Sequence, residues 1–270
     1  MIWLCAGALT LILAGVSMAP RADSILSLSG QTLVAELLAA SLLAVLWLCY
    51  LWGSVKRRPA PMQALMFHGA CLLTVYAVLG PLNIKAEVSA SAHMVQHMLF
   101  IVVIAPMWAI SIPLPQFAAL WRSRGKRYWQ PLLKIVRFPM RLAYLHVLVI
   151  WFWHIPTFYV LALENPWWHL VEHGCFLLTA ALLWWAVLHC NERSRPWALL
   201  ALLFTLMNTG FLGAILTFAG SLLYYPTHEL ADQQLAGLLM WVPGGMPYLL
   251  ATAWLGYCWL NGINMRDELE

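Results

Sequence analysis

The chain has 270 residues, of which 63% are hydrophobic and only 10% are charged, and its mean hydropathy is +0.76. These values exclude an ordinary water-soluble globular domain. The net charge of +4 comes from basic loops between long apolar segments, which is the pattern of membrane topology, so the sequence does not indicate a nucleic-acid-binding protein.

Apolar segments long enough to cross a bilayer recur along the whole chain. A hydrocarbon core about 30 Å thick requires roughly 20 apolar residues per helix. Seven segments meet this requirement, and they cover residues 33–52, 63–82, 93–112, 142–163, 167–190, 197–220 and 235–260. The runs are continuous rather than alternating, which argues against a β-barrel. We therefore expect an all-α fold, a polytopic transmembrane bundle of seven to eight helices in a single membrane domain spanning residues 1–270.

The eighth helix is the apolar segment 2–18 at the amino terminus. Residues 1–19 are either a retained anchor helix or a signal peptide, since Ser17-Met18-Ala19 resembles a cleavage site. Retention is favoured, because Pro20 would directly follow the cut and no basic residue precedes the apolar run.

Thirteen of the fifteen basic residues fall on one alternating set of loops. One loop contains Lys56–Arg58, another is the segment 113–140 with Arg141 directly after it, and a third contains Arg193 and Arg195, while Arg266 lies in the carboxy-terminal tail. The positive-inside rule places these loops in the cytoplasm. Segment 113–140 also contains several aromatic and aliphatic residues, so we expect it to lie on the anionic inner leaflet as a basic interfacial loop.

Two pairs of histidines begin two of the predicted spans at their outer ends. His93 with His97, and His169 with His173, both fit the pattern H-x-V-[QE]-H-x-x-F. A spacing of four residues places the two imidazoles of a pair on one helix face, with Cβ atoms about 5 to 6 Å apart. Each pair can therefore offer two ligands to one metal ion.

Further residues on the same side extend this candidate metal site. Pro81 and Pro156 precede the two histidine pairs at nearly matching distances, which indicates a duplicated helix hairpin. His154 lies in the outward part of its span, and Asp232 begins the last span. We expect Asp232 either to cap its own helix or to orient a ligating imidazole. The candidate metal-site residues are His93, His97, His154, His169, His173 and Asp232.

The chemistry of these residues favours copper modestly over zinc. Imidazole binds both metals, and thioether neighbours shift the preference towards Cu(I). Met94 and Met98 lie beside the first pair, and Met240 and Met246 lie in the outer half of the last span, although such methionines usually serve packing. The glutamate of the zinc-protease motif is absent from the first pair, and Glu172 in the second pair has a different offset, so no catalytic residue is predicted.

At these positions the sequence resembles a known family. The segments 91–98, 153–156, 169–173 and 231–241 together are similar to the CtaG-type assembly factors of bacterial caa-type cytochrome c oxidase, and the resemblance covers about residues 62–259. It implies a multi-pass plasma-membrane protein that helps copper reach the oxidase, with oxidase subunits, membrane lipid and a copper donor protein as partners. The family's histidine positions match the five candidate histidines, and its acidic helix start matches Asp232.

Three functions remain open from the sequence. The leading one is a non-enzymatic metallochaperone or assembly factor whose metal site faces the periplasm or exterior. A transporter for copper or another small solute would require polar residues further inward, where the sequence offers Asn208 with its neighbouring threonines, and His68 or His146. The third is a b-type haem protein with histidines as axial ligands. By default we expect His68, His146 and His189 to pack or hydrogen-bond inside the protein.

Overall fold

The computed structural model describes residues 23–120, 136–224 and 229–267, and within them every regular element is helical. The helices are α1 (Asp23–Lys56), α2 (Pro61–Leu79), α3 (Pro81–Ala86), α4 (Ala90–Met98), α5 (Ala105–Ser111), α6 (Leu114–Leu120), α7 (Pro139–Trp153), α8 (Pro156–Glu164), α9 (Pro166–Leu188), α10 (Arg195–Thr217), α11 (Leu230–Trp241) and α12 (Met246–Asp267). A π-helical turn, Leu99–Ile104, joins α4 to α5, and a short 3₁₀ turn, Glu192–Ser194, precedes α10.

Six of the seven predicted spans are confirmed as helical segments that are long and apolar enough to cross a membrane. The remaining predicted span is divided into α7 and α8, which are bent by 72° and form either a broken span or a re-entrant loop. The protein is therefore a multi-pass membrane protein with a polytopic helical bundle. Residues 1–19 and most of segment 113–140 lie outside the described residues, so the expectations for the anchor helix and the basic interfacial loop remain predictions.

Prolines set the positions at which the spans bend. Proline fits the first turn of a helix, where its missing N–H leaves no bond unmade, but it disfavours helical conformation in the residue before it. Gly80 and Ile155, which precede Pro81 and Pro156, are both extended, and a short helix follows each proline. A turn at residues 242–245, which includes Pro243, likewise separates α11 from α12.

The two halves that carry the histidine pairs have the same local design. In each, a long helix ends at a bend, a short helix follows, and a capped helix then carries the pair. Ser89 caps α4 by accepting a bond from Ala92 N–H, and Asn165 caps α9 by accepting bonds from the N–H groups of residues 167 and 168. Each pair therefore begins four residues after its cap, as a duplicated hairpin predicts.

The principal core lies between α4, α5, α7, α9, α10 and α11. Helices α10 and α11 cross closely, since a Cβ added to Gly237 would lie 2.6 Å from the carbonyl oxygen of Gly213. Small residues that let helix backbones approach are a common device of membrane bundles. Helix α1 packs on α2, α6 and α9, and leaves large apolar side chains such as Leu37 and Leu48 exposed, in a position to contact lipid.

Candidate metal centre

The first histidine pair lies on α4, and its position is fixed from outside the helix by Asp232 on α11. The Asp232 carboxylate accepts bonds from the backbone N–H of Ala90 at 2.6 Å, the hydroxyl of Ser91 at 2.5 Å and the hydroxyl of Ser89 at 3.1 Å. These donors belong to the first turn of α4, where N–H groups have no partner within the helix and a negative charge is favoured. Asp232 therefore holds the start of the helix that carries His93 and His97.

The structure brings the two histidine pairs together. Within each pair the ring centroids are 4.1 Å apart, both for His93 with His97 and for His169 with His173. Across the pairs, the centroids of His93 and His169 are 5.3 Å apart, and those of His97 and His173 are 5.4 Å apart. Four imidazoles from α4 and α9 thus form one compact group, referred to below as the histidine cluster.

Glu172 is at the centre of the histidine cluster. Its Oε2 lies 3.8 Å from His93 Nε2 and 3.6 Å from His97 Nε2, and the residue is fully buried. Two triads have ligand atoms within 4.8 Å of one another, namely His93 with His169 and Glu172, and His97 with His173 and Glu172. The single carboxylate therefore belongs to both triads. Two histidines and one carboxylate form a ligand set that proteins use for zinc and other transition metals.

Glu172 is the site residue that the sequence analysis did not assign. In the zinc-protease pattern the acid follows the first histidine directly, and Glu172 does not fit that position. On a helix, however, positions i, i+3 and i+4 share a face, and His169, Glu172 and His173 occupy these positions. An acidic residue in an apolar span is itself a functional candidate, which is the signal that identifies it.

His154 lies beside the histidine cluster at the bend between α7 and α8. Its Nδ1 is 2.7 Å from the carbonyl oxygen of Ile150, and because a carbonyl can only accept, Nδ1 must carry the proton. Its Nε2 is then a lone-pair donor, and it is buried with no hydrogen-bond partner among the described residues. The ring centroid lies 6.4 Å from that of His97, so His154 is adjacent to the triads but not part of either.

Aromatic rings line the histidine cluster on the inner and lateral sides. The Phe176 ring lies 4.7 Å from the His97 ring, and the Phe100 ring lies 4.9 Å from the His173 ring. These are the phenylalanines of the two H-x-V-[QE]-H-x-x-F motifs, and both are fully buried. Each motif therefore contributes the ligands and also part of an apolar floor beneath them.

The three other histidines in the described part of the chain have partners elsewhere, as expected. His146 Nδ1 lies 2.8 Å from the Thr179 hydroxyl, whose own proton goes to the Cys175 carbonyl. His68 accepts a bond from the Trp47 indole, and His189 Nδ1 bonds to its own helix. Three of the four methionines serve packing, because Met94 and Met240 are buried in the apolar core and Met98 packs against it. Met246 is exposed.

Comparison with known proteins identifies one family. A model of the family described as Cytochrome c oxidase caa3 assembly factor (Caa3_CtaG) matches residues 45–262, which is well over half of the chain and includes the histidine cluster, His154 and Asp232. No curated protein and no solved structure matches the chain.

Proposed function

The chain belongs to the cytochrome c oxidase caa3 assembly factor family, and from this premise we propose that it binds a copper ion at the histidine cluster and delivers it to an oxidase subunit docked in the membrane. Copper in this proposal is cargo, and the protein catalyses no reaction. The cluster faces the periplasm or exterior of a bacterial plasma membrane, where a copper donor protein supplies the ion. The family's role in oxidase assembly supports the partner, and the ligand set supports the ion.

The observation that carries the proposal is the environment of Glu172. A carboxylate buried in a low-dielectric interior is costly unless a cation or hydrogen-bond donors compensate it. Glu172 is fully buried, and neither of its oxygens has a hydrogen-bond partner among the described residues. Its ion pairs in the described part of the chain are with His93 and His97, which are charged only when protonated. A bound metal ion would compensate the carboxylate and occupy the lone pairs of the surrounding imidazoles.

The state of the rings also favours a metal ion. The Nε2 atoms of His97, His169 and His173 are all without hydrogen-bond partners among the described residues, although each lies in a largely enclosed site. A satisfied structural histidine usually bonds through at least one ring nitrogen, as His146 and His68 do here. Unpaired ring nitrogens that converge on a carboxylate are the arrangement expected of a ligand set.

Orientation is inferred from the basic residues. Lys56, Arg57 and Arg58 lie at the end of α1, Arg193 precedes α10, and Arg195 is its first residue. The histidine pairs lie at the beginning of α4 and α9, on the side of the bundle opposite to these basic residues. By the positive-inside rule, the basic ends are cytoplasmic and the histidine cluster is external. Labelling of single cysteines placed at residues 57 and 88 in intact cells should modify only the second.

Transport across the membrane is the less favoured function. The apolar rings of Phe100 and Phe176 lie against His173 and His97, and His146 is already hydrogen-bonded to Thr179. The polar residues that a transport path would use are also occupied, since Thr205, Asn208 and Thr209 all donate to carbonyl groups of their own helix. Sealed vesicles containing the protein should therefore show no copper flux above that of empty vesicles.

Metal analysis tests the proposal directly. The protein, purified in lipid nanodiscs, is titrated with Cu(II), with Cu(I) under reducing conditions and with Zn(II), and bound metal is counted. We expect copper to bind and the double variant His97→Ala and His173→Ala to abolish binding, whereas His189→Ala leaves it intact. Cells that carry the double variant should assemble an oxidase depleted in copper. Preferential zinc binding would overturn the choice of metal, a Soret band would assign haem instead, and no binding at all would overturn the metal site.

A further inference from the structure

A cavity of about 260 Å³ leads into the histidine cluster from the outer side of the bundle. It lies between α1, the α3 region and the junction of α8 with α9, and His93, His169 and His173 lie on its wall. His173 is 7% exposed, and its Nε2 has no hydrogen-bond partner among the described residues. The cavity therefore connects an unpaired ligand atom with the exterior.

The wall of this cavity carries carboxylates. Glu36 from α1, Glu87 from the end of α3 and Glu164 from the end of α8 all line it, whereas no lysine or arginine among the described residues does. Lys85 is close in sequence but is not part of the wall. The charge along the cavity is therefore negative, which attracts a cation and repels an anion.

One of these carboxylates, Glu36, is held in place by a hydrogen bond. Glu36 accepts a bond of 2.9 Å from the side-chain amide of Asn83, and Asn83 in turn accepts a bond of 3.1 Å from the amide of Gln96 on α4. This chain of amides connects Glu36 to the helix that carries the first histidine pair. Partial burial and the nearby charge of Glu36 raise the pKa of Glu87 above its usual range, since two carboxylates near one another resist losing both protons.

We propose that this cavity is the access route of the metal ion and that Glu36 and Glu87 form a transient cation site through which the ion passes to His173 and His169. The inference rests on the proposed function and deepens it, because it assigns how the cargo reaches the histidine cluster. Glu164, exposed at the rim, adds to the attraction without belonging to the transient site. The ligand class is a small metal cation, and the first coordinating groups that it meets are carboxylate oxygens.

A transient site of this kind affects rates rather than the final affinity. Clefts lined by charges of one sign raise the association rate of an oppositely charged ligand by about 10- to 1,000-fold, and salt removes the effect. Loss of the two carboxylates should slow association and dissociation together. The equilibrium affinity of the histidine cluster should then change little.

The test compares the wild type with the double variant Glu36→Gln and Glu87→Gln in nanodiscs. Glutamine keeps the shape of the side chain, and its carbonyl can still accept the bond from Asn83. Copper is added as Cu(II) or as Cu(I) under reducing conditions, whichever saturates the wild type, and tryptophan fluorescence follows its association in a stopped-flow instrument. Glu229→Gln is the matched control, because Glu229 is an exposed carboxylate that does not line the cavity.

We expect the double variant to bind copper at least 10-fold more slowly at low salt, with unchanged stoichiometry and a Kd within about threefold of the wild type. Its association rate should also lose most of the salt dependence seen in the wild type and in Glu229→Gln. Association at the wild-type rate would overturn the access route while leaving the metal site intact. A reduced stoichiometry would show that the carboxylates are permanent ligands, which overturns the transient role. If copper does not saturate the wild type, the proposed function itself fails.

Discussion

Replacement of Glu172 by glutamine is the most informative single change, because it removes the one charge shared by both triads and keeps the shape of the side chain. Oε2 of Glu172 lies 3.8 and 3.6 Å from the Nε2 atoms of His93 and His97, so an ion held by these rings would lie within about 4 Å of the carboxylate. Two unit charges 4 Å apart interact with about 4 kcal/mol at an effective dielectric constant of 20. Since about 1.4 kcal/mol corresponds to a factor of ten, Glu172→Gln should weaken metal binding about 1,000-fold.

The assay is a competition titration against a chromophoric copper chelator, with the protein in nanodiscs and Glu229→Gln as the control carboxylate. Thermal unfolding without metal provides a second measurement. Because a buried charge without a cation is costly, metal-free Glu172→Gln should unfold at the same temperature as the wild type or higher. Copper at 100 times the wild-type Kd should stabilise the wild type by about 2.7 kcal/mol and the variant hardly at all. A variant that binds copper as tightly as the wild type would refute the assignment of Glu172 as the shared ligand.

Three further predictions concern the residues around the site. Asp232→Ala leaves the donors at the start of α4 without their acceptor and should lower the free energy of unfolding by about 2 kcal/mol. It should reduce copper affinity less than Glu172→Gln does. Equal losses of affinity in both variants would instead make Asp232 a ligand. His154→Ala should weaken copper binding about tenfold through loss of an adjacent imidazole, whereas His146→Ala should leave copper affinity unchanged and lower stability. A chelator competition in which His146→Ala loses more affinity than His154→Ala would contradict the placement of His154 beside the metal site. Gly237→Ala should destabilise the bundle by about 2 kcal/mol or more in a denaturant titration, because the added Cβ would meet the backbone of α10. Gly256→Ala is the control and should be neutral or stabilising, because the nearest contact of its added Cβ would be at 3.9 Å.

Much of the fold follows from patterns within single segments. Apolar length gives the spans, and the prolines mark the bends, because both signals depend only on the residues of one helix and on the bilayer. The bend at His154–Pro156 nevertheless divides one predicted span into α7 and α8. An apolar run of sufficient length contains no information on whether it stays straight. The position of Pro156 in the run is the local reason for the division.

The candidate site likewise has features that depend on one segment and features that depend on contacts between distant segments. The spacing of each histidine pair sets which rings share a face of α4 or α9, and this could be predicted. The approach of α4 to α9 depends on packing between segments some 75 residues apart, for which only the duplicated motif gave an indication. The partners of Asp232 lie still further away in sequence, at Ser89, Ala90 and Ser91. No pattern within residues 231–234, the segment around Asp232, indicates these partners.

The difference between the two copies of the motif explains how a symmetric pair of helices holds a single charge. Gln96 and Glu172 occupy the same position of the H-x-V-[QE]-H pattern, three residues after the first histidine. Gln96 donates to the Ala77 carbonyl and to Asn83, and so joins α4 to the neighbouring helices. Glu172 instead lies among the rings. Two carboxylates in this enclosed space would repel one another and over-compensate a monovalent ion, whereas two amides would leave the cation without a counter-charge. One amide and one carboxylate therefore suit the proposed role, in which the site holds an ion and also releases it.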